Sequence, residues 1–188
     1  KKAIANKAAK KKAAPRKRAA PFIARMDAAH PPAPMPRFVD PQLCTLVARA
    51  PDGPEWLHEV KYDGYRMQLR VEDGAARLFT RKGLDWSAKA PRTIHAGGKL
   101  PDCIMDGELV VLDANGGTDF SGLQAALSGD GAERLVYFAF DLLYLNGRNL
   151  RTLALDELSD QLYADERLPG VKAQGFLTLT DARSQGPL

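Results

Sequence analysis

Cysteine is scarce in this sequence. Its two residues, Cys44 and Cys103, lie far apart, and neither belongs to a Cys-x-x-Cys pair or a Cys/His cluster. A disulfide framework and a zinc ribbon are therefore excluded, and both thiols read as structural residues in a reducing compartment. His30, His58 and His95 are equally scattered and read as surface or satisfied side chains. Long apolar runs are missing too. The longest, near Leu135 to Leu145, is interrupted by Asp141 and is too short to cross a bilayer. The basic amino terminus is not followed by the apolar core of a signal peptide. No membrane reading survives, and a cytoplasmic location is expected. Neither Gly-x-x-x-x-Gly-Lys-Ser/Thr nor Gly-x-Gly-x-x-Gly occurs, so a nucleotide site here must use another logic. There are no internal repeats. The two tryptophans, Trp56 and Trp86, read as packing residues.

What the chain does have is an uneven charge. The net charge over 188 residues is +4, but residues 1–36 hold ten Lys and Arg against the single acid Asp27, which leaves +9 there and −5 in the remainder. This Ala-, Lys- and Pro-rich stretch has too little aliphatic bulk to offset the entropy of ordering it, and is expected to be a disordered linker. Lys10-Lys11-Lys12 and Arg16-Lys17-Arg18 suit phosphate contacts that weaken with salt. A solvated spacer kept extended by like charge and proline fits equally well.

From Arg37 the composition becomes that of a globular domain, long enough to bury a sizeable core. A strand is expected over Trp56–Lys61 after the turn cluster Pro51-Asp52-Gly53-Pro54. Tyr65–Glu72 alternates strictly, Asp73-Gly74 is a hairpin turn, and Ala75–Arg81 returns as the partner strand. A short helix within Lys89–Gly98 precedes a strand over Ile104–Asp113. Asp119–Leu127 reads as a capped helix, and Leu135–Leu145 as a central strand buried on both sides. A helix over Asp156–Arg167 and a last strand over Gly175–Thr180 complete the reading. The fold class is α+β, with antiparallel sheets forming a nucleotide cleft and helices on their outer faces.

The residues that carry chemistry centre on Glu59-Val60-Lys61-Tyr62-Asp63-Gly64-Tyr65-Arg66. A lysine amine is a nucleophile only when deprotonated, a state favoured by desolvation and by neighbouring cations such as Arg66 and Arg81. Spacing alone, however, leaves ahead the simpler reading of Lys61 as a surface lysine paired with Glu59 or Asp63. Glu108 and Asp141, single carboxylates beside a glycine or at a strand end, are likewise compatible with plain turn formation.

Order along the chain reverses that ranking. Glu59-x-Lys61-x-Asp63-Gly64-x-Arg66 resembles the nucleotidyltransferase signature of ATP-dependent DNA ligases. Thr80-Arg81-Lys82-Gly83 is similar to the family's second segment, Asp106-Gly107-Glu108-Leu109-Val110 to its third, and Tyr137-Phe138-Ala139-Phe140-Asp141-Leu142-Leu143 to the aromatic segment after it. Pro41-Gln42-Leu43 and Pro54-Glu55-Trp56-Leu57-His58 resemble the lead-in of the ligase domain of bacterial ligase D. The resemblance covers roughly residues 37–175.

The resemblance implies that Lys61 attacks the α-phosphate of ATP and forms lysyl-AMP. Glu59 would lie near the adenine edge, Arg66 and Arg81 would hold ribose and phosphates, Glu108 would contact the ribose or a metal-bound water, and Phe140 would stack on the adenine. Glu108 would thereby serve a Mg2+ or Mn2+ ion. The partners implied are nicked double-stranded DNA, Ku, and linked polymerase or phosphoesterase domains, in a nucleoid-associated bacterial enzyme of non-homologous end joining.

The family's two later motifs, which carry lysines that grip the triphosphate, and its oligonucleotide-binding barrel have no counterpart before Leu188. Residues 37–188 are therefore expected to be the amino-terminal part of an adenylation domain, cut from a longer chain, and impaired on its own. RNA ligases and GTP-using capping enzymes share the lysine motif, and a non-catalytic nucleic-acid-binding scaffold would explain the basic tail.

Overall fold

The computed structural model describes residues 32–43, 45–49, 61–129, 131–153, 171–173 and 177–179. The expected strand over Trp56–Lys61, apart from Lys61 itself, the helix over Asp156–Arg167 and Glu59 lie outside these residues.

The strictly alternating stretch forms β1 (Tyr65–Glu72), which turns through Asp73 and Gly74, both with left-handed backbone, into β2 (Ala75–Thr80). A 3-10 turn at Ser87–Lys89 leads to helix α1 (Pro91–Gly97), with proline at its first position and the glycine pair at its end, as expected of helix boundaries. Strand β3 (Cys103–Val111) follows. Helix α2 (Phe120–Ser128) is capped by Asp119, whose carboxylate accepts a 2.8 Å hydrogen bond from Gly122 N–H. Strand β4 (Leu135–Leu145) turns through Asn146-Gly147 into β5 (Arg148–Asn149), and β6 (Val171–Ala173) and β7 (Leu177–Leu179) form a further hairpin.

All described strands join one antiparallel sheet in the order β2-β1-β3-β4-β7-β6, with β5 paired to β4. Strand β7 lies within the expected Gly175–Thr180 strand; β6 was not foreseen, because three residues are too short to show a period. Both helices cover one face. There Met67, Leu69 and Val71 of β1, Met105, Leu109 and Val111 of β3, and Tyr137 and Ala139 of β4 meet Leu123 of α2, and Gly97 of α1 lies against Leu69 and Ala76. Burying each large side chain of this cluster contributes about 1.5–3 kcal/mol. The α+β class is borne out.

The other face is half open, and this corrects the reading of Leu135–Leu145. The strand is central, but Val136, Phe140, Asp141 and Leu143 remain partly exposed. The sheet has no second helical layer here among the described residues, and the face is used for the candidate site and for residues 32–42. Contacts with the sheet reach back before Arg37. Ala33 N–H donates to Gly147 O at 2.8 Å and Ala33 O accepts from Tyr144 Oη at 2.7 Å, so docking begins before Arg37.

Candidate active site

The sheet register draws the candidate residues into one transverse row. Arg66 pairs with Glu108, and Glu108 with Phe138, across β1, β3 and β4. Directly opposed residues in antiparallel strands point to the same face. Since Thr80 pairs with Met67, the exposed Arg81 leaves β2 at the Arg66 end of β1. Lys61 precedes the same end of β1 and is exposed; among the described residues it forms no ion pair with Asp63.

The loop Lys61–Gly64 is held to β3 at close range. Gly64 N–H donates to the Glu108 carboxylate. A Cβ on Gly64 would run into Leu109 O and come within 2.8 Å of Val110 Cγ1, so only glycine permits the approach. Tyr62, next to Lys61, stacks on Phe138 with centroids 4.2 Å apart and rings 2° from parallel. Burial there pushes the Tyr62 hydroxyl pKa up.

Glu108 is the electrostatic centre of this arrangement. Desolvation raises its pKa to about 7, against the opposing pull of the Gly64 hydrogen bond and the positive charges of Lys61 and Arg66; Asp106 adds a smaller upward push. Asp106, two residues earlier on the same face, is 3% exposed and grips Arg66. Arg66 Nη2 donates to Asp106 Oδ2 at 2.7 Å, and Nε lies 3.2 Å from both carboxylate oxygens. Arg66 Nη1 donates to Gln42 O at 2.7 Å, and the guanidinium carbon sits 5.4 Å from the Phe140 centroid.

Phe140 follows Phe138 by two on the same face, at a bulge of β4. Asp106 opposes Asp141 while Gly107 opposes Ala139, which leaves Phe140 as the extra residue. Gly107 itself is dictated by Tyr137, whose hydroxyl crosses beneath it to donate toward Met67 O (3.1 Å) and Met105 O (3.0 Å); a Cβ at Gly107 would sit 2.6 Å from Tyr137 Cζ.

Lys61, Arg66, Arg81, Glu108 and Phe140 are thus gathered at one end of the open face. Among the described residues no three His, Cys, Asp or Glu side chains form a metal-binding cluster. Tyr62, Asp106 and Phe138 were missed as site residues. Period two from Glu108 and from Phe140 was the available signal for Asp106 and Phe138; Tyr62 offered none beyond its place beside Lys61.

A half-open antiparallel sheet with two helices on its closed face carries this lysine, these arginines and this glutamate. The family described as ATP dependent DNA ligase domain matches residues 41–164, and the chain belongs to it. It is 45% identical over 133 residues to the multifunctional non-homologous end joining protein LigD of Pseudomonas aeruginosa, covering 70% of this chain and 16% of that protein. The LigD of Mycobacterium tuberculosis is 38% identical over 133 residues, covering 65% and 17%. A DNA ligase-like protein, LigB, of Bacillus subtilis is 29% identical over 122 residues, covering 64% and 44%. A solved structure of mycobacterial DNA ligase D complexed with ATP and MES aligns at a TM-score of 0.48 and 37% identity, over 53% of this chain and 33% of that one. The chain therefore spans about a sixth of the length of its LigD relatives. No helix among the described residues is long and apolar enough to cross a membrane.

Proposed function

We propose that this chain is the Lys61-bearing part of an enzyme that accepts AMP from ATP and passes it to the 5′-phosphate of a DNA nick, as in non-homologous end joining. The observation that carries the reading is the tie between the Lys61 loop and Glu108. Gly64 N–H binds the carboxylate and the Lys61 charge acts on it, in a chain of the ATP-dependent ligase family.

In the first step the unprotonated Lys61 amine forms a nitrogen–phosphorus bond at the α-phosphate. The phosphorus–oxygen bond to pyrophosphate breaks, pyrophosphate leaves with its electron pair, and the proton on the newly bonded nitrogen passes to solvent. Arg66, oriented by Asp106, and Arg81 supply positive charge for the ribose and phosphates, and Phe140 supplies an aromatic face for the base, with Glu59 near its edge. A bound Mg2+ or Mn2+, with Glu108 close by, would neutralise charge on the phosphates. Glu108, Asp106 and Gly64 meanwhile keep the lysine loop against the sheet, so that positioning does most of the catalytic work. The 5′-phosphate of the nick would next take AMP from Lys61, breaking the nitrogen–phosphorus bond and releasing the lysine, and a 3′-hydroxyl would then displace AMP and seal the strand. The LigD relatives are named multifunctional non-homologous end joining proteins, which supports DNA ends as substrate and further linked domains; Ku and linked polymerase or phosphoesterase domains are the partners that the family resemblance implies.

Incubating the full-length enzyme with labelled ATP and a divalent cation should label Lys61. Labelled GTP should not replace ATP, and Lys61→Ala should remove the label. Labelling that persists in Lys61→Ala overturns the assignment.

A further inference from the structure

Residues 32–42 lie over the outward-facing side chains of β1 as a strap with a regular stagger. Pro36 O accepts from Arg70 Nε at 3.1 Å, Val39 meets Gln68, and Gln42 O accepts from Arg66 Nη1 at 2.7 Å. The strap therefore runs antiparallel to β1, advancing three residues for every two of the strand. Phe38 packs edge-on against Phe79 of β2 at 6.2 Å between centroids.

The middle anchor differs from the others. Gln68 is 3% exposed, sits between Phe79 and Asp106 in cross-strand register, and uses both polar atoms of its amide on one residue. Val39 N–H donates to Oε1 at 3.0 Å and Nε2 donates to Val39 O at 2.8 Å. This double bond pair imitates the exchange between two strands and fixes Val39 in register, as a single contact would not. Three residues on, the register so fixed delivers the Gln42 carbonyl to one edge of Arg66, whose other edge is held by Asp106 and whose face lies over Phe140. A guanidinium fixed on two edges and one face is pre-organised, and less conformational freedom is lost when it binds a phosphate or ribose.

We propose that Gln68 is a positioning residue for ATP: by clamping Val39 it sets the strap register, and the Gln42 carbonyl then orients the Arg66 guanidinium. The strap is on this account a working part of the nucleotide site. The inference rests on the reading of Lys61 as the AMP acceptor.

The test uses the full-length enzyme and reads Lys61 labelling against ATP concentration, with thermal unfolding followed in parallel. Gln68→Leu, close in volume, should raise the half-saturating ATP concentration about five- to tenfold, the weight of one ordinary lost hydrogen bond, while the maximal labelling rate is kept. Tyr144→Phe frees the far end of the strap from the Tyr144 hydroxyl but leaves Ala33 N–H on Gly147 O, and should not move the half-saturating concentration. Should Gln68→Leu fail to fold, Gln68→Asn, too short to reach Val39, decides by the same criterion. A folded Gln68 variant with unchanged or lower half-saturation overturns the inference. So does an equal effect from Tyr144→Phe, since the strap would then act only through stability. If wild-type enzyme labels no lysine, the underlying reading falls and this inference with it; labelling of Lys61 with unaltered ATP dependence removes the inference alone.

Discussion

Gly64 and Gly107 show how single residues of the two central motifs are dictated by close approach. Gly64 lets the lysine loop touch Leu109 O and donate to Glu108; Gly107 lets the Tyr137 ring pass beneath β3. Gly64→Ala should destabilise the domain by about 1–3 kcal/mol in urea unfolding, because the added methyl meets backbone that cannot retreat. It should also slow Lys61 labelling more than its stability loss explains. Glu108 gives the second prediction at this scale. Its carboxyl pKa, raised to about 7 in the folded state, means that the native protein holds a proton the unfolded chain releases near the ordinary value of 4.5. The stability this proton contributes is present below about pH 4.5 and is lost as pH rises through about 7. In metal-free buffer, wild type should therefore lose stability across that window, and Glu108→Gln should flatten the loss. An unaltered pH profile in the variant would count against the buried, raised carboxyl.

At the level of elements, the tie from β4 under β3 to β1 explains why the three strands act as one platform. The Tyr137 hydroxyl is fully buried and faces the carbonyls of Met67 and Met105. Tyr137→Phe should cost about 1 kcal/mol of stability, with the ATP dependence of Lys61 labelling left in place. Most elements were legible in the sequence. Strict alternation from Met67 to Val71, the Asp73-Gly74 turn and the Asp119 cap each have a local cause, and each appears within a residue or two of where it was expected. What was not legible has a non-local cause. The half-open second face of β4, the bulge of β4 at Phe140, and the docking of Ala33 onto Tyr144 all depend on segments distant in the chain. Local periodicity carries no record of such partners. Of the candidate site residues, Lys61, Arg66, Arg81 and Glu108 were named through motif order. Asp106 and Gln68 were passed over because a buried carboxylate or amide declares its role only once Arg66 and Val39 are seen against it.

The whole molecule joins a half-open antiparallel sheet to a strap and a strongly basic preceding segment, on a chain that covers about a sixth of its LigD relatives. One face of the sheet is committed to the core, so the other is available to position the lysine loop, the arginines and the aromatic rings. The strap then connects that face to the segment leading into it. Everything functional in this account depends on Lys61 being the residue that accepts AMP. Peptide mapping of the full-length enzyme by mass spectrometry, after incubation with ATP and a divalent cation, tests this most directly. An acid-labile AMP adduct on the peptide containing Lys61 is expected, discharged when nicked DNA is added. An AMP adduct confined to another residue, or nick sealing that survives Lys61→Ala, would contradict it.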